Sequence, residues 1–344
     1  MSCYKTLRPA LFLLPPEKAH RAAIKALQLG LAPKSSFAHP SLETNIAGLK
    51  LPSPVGLAAG FDKNAEAVEG AHHAGFGFVE IGTVTPRAQL GNPQPRLFRL
   101  VEKEAVINRL GFNNEGMDAA AARLAANKHG GVVGGNVGKN KDSEQALPDY
   151  IAAMRALYGY VDYITANISS PNTPGLRNLQ AKEELTNLVR GLHAARTGLM
   201  NEFGFPHKPI FVKIAPDNDA AALAAIAQVA IEEKLDGLIV SNTTIQHNGE
   251  QGGLSGKPLF APSTVVLRTM YQMTKGQVPL IGVGGIASAE DAYEKIRAGA
   301  SAVQLYTALI YQGFGLVEKI NKGLVELLAR DGYSNIAQAV GTNA

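Results

Sequence analysis

The sequence predicts an α/β protein: a closed parallel (β/α)8 barrel of the TIM type with a helical arm ahead of it. Three observations carry this. From about residue 50, short β-rich runs alternate with Ala- and Leu-rich helical stretches; there are eight such runs; and nearly all are apolar. They are VGLAA (55–59), FVEIGTV (78–84), VVGGNV (132–137), YITANIS (163–169), PIFVKIA (209–215), GLIVSNT (237–243), PLIGVGG (279–285) and AVQLYT (302–307). Between them, 219–232 and 288–298 read as helices. An open doubly wound sheet is the alternative. Its phosphate motif, GxGxxG after the first strand, is absent, and VGLAAGFDKN stands there instead. GVGG at 282–285 says little alone, since glycine pairs often only close a turn. Two connections exceed what a barrel needs. Residues 85–113, with RLFRLVEKEAVINRL, read as a hairpin inserted after the second strand, and the glycine-rich 244–261 follows the sixth. Long connections on this face build lids and substrate walls. The expected division is an arm over 1–40 and a barrel over 41–344.

A chain of 344 residues, 46% hydrophobic and 18% charged, can bury a large core. Its single cysteine, Cys3, excludes a disulfide framework, a four-thiolate zinc site and a self-contained iron–sulfur cluster. The histidines lack HExxH-type spacing, and the His72–His73 pair reads as packed or exposed helix positions, so no metal is expected. The net charge of +4 resides in residues 1–30, where Lys5, Arg8, Lys18, Arg21 and Lys25 face Glu17 alone. A charge-balanced barrel behind a basic arm argues against nucleic acid as a partner. The arm's apolar run, PALFLLPP at 9–16, is far short of the about 20 residues a membrane-spanning helix needs. It lacks a small-residue cleavage site, so a secretory signal is not expected.

The strand ends carry the polar residues. Lys63 follows the first strand, Thr83 lies in the second, Asn136 in the third, and Asn167 ends the fourth, leading to Ser170 and Asn172. Lys213 lies in the fifth, Asn242 and Thr243 end the sixth, Gly284–Gly285 the seventh and Tyr306–Thr307 the eighth. Any one could be a satisfied strand-end cap; eight in register converge on the barrel mouth, where this fold does its chemistry. Asparagine amides offer a donor and an acceptor on one plane, which suits a ligand with amide or imide edges, such as a pyrimidine or an isoalloxazine. Lysines suit a carboxylate, a phosphate or a reduced flavin. GGIAS entering a helix after the seventh strand, with Tyr306–Thr307 at the eighth, reads as a barrel phosphate site. Phosphate there and a ring over the mouth together point to FMN.

In this order AAGFDKN (58–64), IGTVTPR (81–87), NRLGFNN (108–114), NISSPNTPGLR (167–177), VKIAPD (212–217), SNTT (241–244), GGLSG (252–256), GVGGI (282–286) and QLYTALIY (304–311) resemble the dihydroorotate dehydrogenase family, in its membrane-associated, quinone-dependent class. The resemblance spans nearly the whole chain, and NISSPNTPGLR is its most specific motif. It implies oxidation of (S)-dihydroorotate to orotate in pyrimidine (UMP) biosynthesis, with electrons passing through bound FMN to a membrane quinone. By position, FMN would contact Ala59, Gly60, Phe61, Asp62, Lys63, Thr83, Asn136, Asn167, Lys213, Ser241, Gly256, Gly285, Tyr306 and Thr307. Dihydroorotate would be held by Lys63, Asn108, Arg109, Leu110, Gly111, Phe112, Asn167, Asn172, Asn242 and Thr243. Soluble relatives carry a cysteine as base in the active-site loop. This chain has Ser170 there.

The resemblance therefore makes Ser170 the acceptor of the proton that leaves one carbon while a hydride leaves its neighbour. A hydroxyl is a poor base, so it needs positioning and a relay for its own proton, with Thr173 as a candidate member. Lys63 and the amides would ease negative charge developing at that carbon. The prolines and Gly175 suit a loop that closes over substrate. The bland alternative is a serine–proline turn capping the fourth helix. In the arm, Lys18, Arg21, Lys25 and Gln28 share one helical face behind Tyr4, Leu7, Leu11 and Phe12, which suits an anionic membrane surface. His20 and Arg99 would then lie near the quinone. The resemblance places such a protein peripherally on the cytoplasmic side of the cell membrane, and a monomer is expected. The competing reading is an arm packed on the barrel floor, and Pro9 is expected to interrupt the first helix. At the level of function they are a Schiff-base lyase built on Lys213 and a non-catalytic flavin-binding barrel.

Overall fold

The computed structural model describes residues 3–127 and 130–344. Eight parallel strands close into a barrel: β1 (Val55–Leu57), β2 (Phe78–Val84), β3 (Val132–Val137), β4 (Tyr163–Asn167), β5 (Ile210–Ile214), β6 (Gly237–Val240), β7 (Leu280–Val283) and β8 (Ala302–Leu305), with β8 pairing β1. The strands stop earlier than the apolar runs suggest. Ser169, Asn242, Thr243, Gly284 and Gly285 lie beyond the ladder, where the chain turns over the mouth. Both helices expected from pattern are present with side-chain caps. Asp219 accepts the Ala222 N–H ahead of Ala220–Glu232, and Ser288 accepts the Asp291 N–H ahead of Ala289–Arg297.

The lower lumen is filled by Phe78, Tyr163, Phe211, Ile239 and Ile281, with Ile46 and Leu51 of the hairpin Thr44–Ile46/Leu49–Leu51 closing the end. Glycines make room for these aromatics. A Cβ on Gly56 would lie 2.4 Å from Phe78, on Gly134 2.0 Å from Tyr163, and on Gly237 2.4 Å from Phe211. Glycine in these strands is therefore a packing requirement, which offsets its weak strand preference.

The insertion at 85–113 forms the expected hairpin, Leu97–Leu100 against Ala105–Asn108. The glycine-rich connection after β6 adds a third strand to it, Gly253–Gly256, which the sequence reading did not anticipate. Close approach explains the glycines: a Cβ on Gly252 would lie 2.4 Å from the Asn108 carbonyl oxygen. The two long connections thus form one small sheet over the mouth.

The arm consists of α1 (Cys3–Leu13) and α2 (Pro16–Gln28). Pro9 does not interrupt α1, contrary to expectation. Proline removes one intrahelical bond, and tertiary contacts hold the helix instead. The Tyr4 hydroxyl donates to the Ile310 carbonyl at 2.7 Å, Arg8 donates to that of Tyr311 at 3.1 Å, and Phe12 meets the Tyr311 ring edge-on at 5.8 Å. In α2, Ile24 and Leu27 are buried. The arm is packed, but beside the mouth and not on the floor. Among the described residues no helix is long and apolar enough to cross a membrane.

Candidate active site

A cleft opens at the C-terminal ends of the strands, under the small sheet. Of the residues singled out from sequence, it is lined by Ala59, Gly60, Lys63, Thr83, Asn108, Leu110, Gly111, Phe112, Asn167, Ser170, Asn172, Lys213, Ser241, Asn242, Thr243, Gly256, Gly285, Tyr306 and Thr307. Phe61, Asp62, Asn136 and Arg109 are not part of that lining. The Asp62 carboxylate turns back to accept the N–H groups of Asn64, Glu66 and Ala67, at 3.3, 2.8 and 2.7 Å. It shapes the loop that carries Lys63, and burial raises its pKa against those bonds. Phe61 packs edge-on against Tyr306 and Phe314. Arg109 alternates with inward-facing Asn108, so it points away, donating to the Pro95 carbonyl at 2.9 Å and lying over the Phe98 ring.

Two lysines reach the cleft. Lys63 donates to the Gly60 carbonyl at 2.8 Å, and burial brings its pKa down to about 8 although the Glu17 charge opposes this. Lys213, in β5, is 5% exposed and makes no hydrogen bond among the described residues. Burial lowers its pKa, and the charge of Glu80 opposes the shift. Glu80 was not recognised from sequence. A lone glutamate within the apolar FVEIGTV run was the available signal. It is fully buried in the lumen, where it accepts from Asn136, Gln304 and Tyr163. Asn136 lies below the cleft and holds Thr83, whose hydroxyl donates to Asn136 Oδ1 at 2.6 Å.

The 167–177 loop is tied down at several points. Ser170 is 5% exposed, and its Oγ accepts the Asn172 N–H at 3.3 Å. Among the described residues Thr173 makes no hydrogen bond to Ser170, so a relay through it is not direct. The Asn172 amide donates to the Asn108 carbonyl at 3.1 Å, linking the loop to the overlying sheet. Arg177, also missed, donates to the Ser169 carbonyl at 3.1 Å, the Thr243 carbonyl at 3.2 Å and Asp217 at 2.8 Å. It joins the loop after β4 to the segment after β6, and Thr244 completes the tie through its own hydrogen bond to Asp217.

The far end of the cleft suits a phosphate. Gly284 and Gly285 have φ of +114° and +75°, and a Cβ on Gly285 would lie 2.5 Å from the Phe260 backbone. Their N–H groups have no backbone acceptor among the described residues. Thr307 donates to Ser255 at 2.9 Å beside them, and Lys257 lines the same end. An N–H cradle formed by Gly284 and Gly285, with amides and Lys213, which makes no hydrogen bond among the described residues, elsewhere in the cleft, fits the phosphate and the ring of FMN. Ser255, Lys257 and Gln304 are lining residues that sequence reasoning missed. Among the described residues no cluster of three or more His, Cys, Asp or Glu side chains could hold a metal.

At the arm, His20 sits between Phe61, edge-on at 5.1 Å, and Tyr306, whose hydroxyl is 3.3 Å from Nδ1. Burial first, then the charges of Lys63 and Arg21, bring its pKa down to about 3, so the ring is neutral near pH 7. Arg99 donates to the Phe12 and Leu14 carbonyls, both at 3.1 Å, and lies over the Phe12 ring. It clamps the corner between α1 and α2. Arg21, expected on a free basic face, is engaged by Glu66 at 2.5 and 2.9 Å.

Comparison with known proteins agrees with this geometry. The profile of the family described as dihydroorotate dehydrogenase matches residues 41–328. A protein of Parvibaculum lavamentivorans named dihydroorotate dehydrogenase (quinone) is 52% identical, over 100% of this chain and 99% of its own. One of the same name from Agrobacterium fabrum is also 52% identical, over 96% and 93%. A ferulenol complex of the Eimeria tenella dihydroorotate dehydrogenase superposes with a TM-score of 0.92 at 42% identity, covering 95% of each chain. Barrel, cleft and sequence thus lead to one conclusion: this chain belongs to the dihydroorotate dehydrogenase family.

Proposed function

We propose that the cleft oxidises dihydroorotate to orotate, a step of pyrimidine biosynthesis, with FMN bound along it and a membrane quinone as the final acceptor. The observation that carries this reading is that a buried hydroxyl, Ser170, and a buried lysine, Lys213, that makes no hydrogen bond among the described residues line one cleft, together with the amides of Asn108, Asn167, Asn172, Asn242 and Gln304. When bound, FMN supplies the acceptor for two electrons and one hydrogen. Ser170 takes the proton from the neighbouring carbon. Lys63 and the amides of Asn108, Asn167, Asn172 and Asn242 hold the substrate's carboxylate and ring amides, and the closed 167–177 loop excludes water. Gly284, Gly285 and Thr307 hold the phosphate; Ala59, Gly60, Thr83, Ser241, Gly256 and Tyr306 complete the cofactor site. Phe61, Asp62 and Asn136 support it from behind. Formation of orotate from dihydroorotate in the presence of a quinone tests this reading; no orotate from flavin-loaded protein would refute it.

Lys213 belongs beside the ring, where its charge favours the reduced state. Lys213→Ala should therefore lose FMN during purification or show a lower flavin reduction potential. A fully yellow variant with unchanged potential would contradict the placement. The lowered Lys213 pKa also suits imine chemistry, so a lyase is the second reading. Borohydride trapping of a carbonyl substrate on Lys213 would favour it.

The arm, 1–40, and the barrel, 41–344, are read as two functional units, a division supported by the family match beginning at residue 41. Leu7, Leu13 and Leu14 are exposed on the arm, Leu13 by 87%, and Lys18 and Lys25 lie nearby in sequence. That combination fits peripheral attachment to an anionic bilayer on its cytoplasmic side, with the enzyme acting as a monomer. His20 and Arg99 lie where an incoming quinone would pass.

A further inference from the structure

Glu80 sits at one end of a chain of hydrogen bonds that reaches the cleft, and its chemistry sets the direction of the links nearest it. As a carboxylate it only accepts. Asn136 must therefore turn its amide nitrogen to Glu80, at 2.7 Å, and its oxygen toward Thr83. That oxygen takes the Thr83 hydroxyl hydrogen, at 2.6 Å. Thr83 Oγ1 is left to accept, so Asn167 must offer its amide nitrogen, at 2.9 Å. Asn167 Oδ1 then receives the Ser169 hydroxyl at 2.9 Å, and Ser169 Oγ receives the Asn242 amide at 3.0 Å. The far end gives the same direction independently. Asn242 Oδ1 accepts the Thr243 backbone N–H at 2.8 Å, and an N–H only donates.

Glu80 acts on a second cleft residue directly. It accepts from Gln304 Nε2 at 2.8 Å, and Gln304 Oε1 is then buried without a partner among the described residues, on a side chain that lines the cleft. A buried acceptor left open in this way calls for a ligand donor.

We propose that Glu80 is a positioning residue: it sets the donor–acceptor direction of Asn136, Thr83 and Gln304 from below, matching the direction that the Ser169 and Thr243 N–H groups give Asn167 and Asn242 from above, so that Thr83 and Gln304 each offer one predetermined face to cofactor and substrate. This rests on reading the cleft as the FMN and dihydroorotate site. Without Glu80 the Asn136 and Gln304 amides could turn over and Thr83 could redirect its hydroxyl, although the Ser169 and Thr243 N–H groups still hold the Asn167 and Asn242 oxygens, so the lower half of the site would lose its single pattern of donors and acceptors.

The test is a suppressor experiment on the full-length, FMN-loaded protein. Glu80→Gln is isosteric but both donates and accepts, so Asn136, Thr83 and Gln304 are no longer held to one direction. Its KM for dihydroorotate should rise about tenfold, the equivalent of one misplaced hydrogen bond, and the flavin absorption bands should shift. Asn167→Asp sets a carboxylate against a Thr83 oxygen that has no hydrogen to give, so FMN retention should fall. Combining the two lets the chain reverse: the amide introduced by Glu80→Gln donates to Asn136, Asn136 to Thr83, and Thr83 to the new carboxylate. The double variant should retain FMN about tenfold better than Asn167→Asp alone, a rescue that purely structural damage would not give. Additive losses, or a Glu80→Gln protein with unchanged KM and spectrum, would overturn the proposal. If Glu80→Gln does not accumulate, Thr83→Val cuts the chain midway and should raise KM similarly; an unchanged KM there overturns it too. Failure of the functional reading looks different, because no variant nor the parent would then take up FMN. In that case the same rescue is sought in the melting temperatures of the unloaded proteins, where its absence counts against the chain itself.

Discussion

Replacing Ser170 with alanine should leave the protein yellow and folded while slowing flavin reduction by dihydroorotate about 10²- to 10⁴-fold, the range set by loss of one positioned proton acceptor. The reason is local. Ser170 Oγ takes only the Asn172 N–H from within its own loop, and the loop is held independently by Arg177 and by the Asn172–Asn108 bond. Removing the hydroxyl should therefore take away the base and little else. Ser170→Cys should keep more activity than alanine, since a thiolate is a competent base. Anaerobic stopped-flow measurement of flavin bleaching checks both, and a near-normal rate in the alanine variant would remove Ser170 from the mechanism.

The second large effect is expected at the arm. Deleting residues 1–14 takes away α1 and the exposed Leu7, Leu13 and Leu14 but spares Ile24 and Leu27, which are buried in α2. A deletion through residue 30 would also expose their partners and break the Glu17–Arg96 pair, destabilising the barrel by several kcal/mol. The shorter truncation separates the two half-reactions. Reduction by dihydroorotate and turnover with a small soluble dye should persist, whereas turnover with a long-chain quinone should fall at least about tenfold further. A lipid-dissolved acceptor must be met at the interface, where buried apolar area and basic contacts hold the enzyme. Binding of the intact protein to anionic vesicles should weaken with salt, because the electrostatic part is screened. Equal losses with both acceptors would assign the arm to stability alone.

The barrel was legible because eight apolar runs end in polar residues that a buried parallel strand would not otherwise carry. The phosphate end and the 167–177 loop were legible for the same reason. Glu80 and Gln304 were not, because a polar residue in mid-strand does not declare whether it faces lumen or helix until the barrel closes. The third strand of the overlying sheet was hidden in a glycine-rich segment, where close backbone approach replaces side-chain pattern. Asp62, Phe61 and Arg109 show the converse limit. Their motif neighbours line the cleft, yet a turn cap and strand alternation direct these three side chains away from it. Pro9 does not break α1, since contacts from Tyr4, Arg8 and Phe12 outweigh one missing helix bond.

The most direct measurement is anaerobic addition of dihydroorotate to the flavin-loaded protein, followed in the visible spectrum. Stoichiometric bleaching of the flavin is expected, with formation of one orotate per flavin and recovery of the yellow colour when a quinone is added. A spectrum that stays oxidised with substrate bound would contradict it and leave the barrel a flavin carrier without this chemistry.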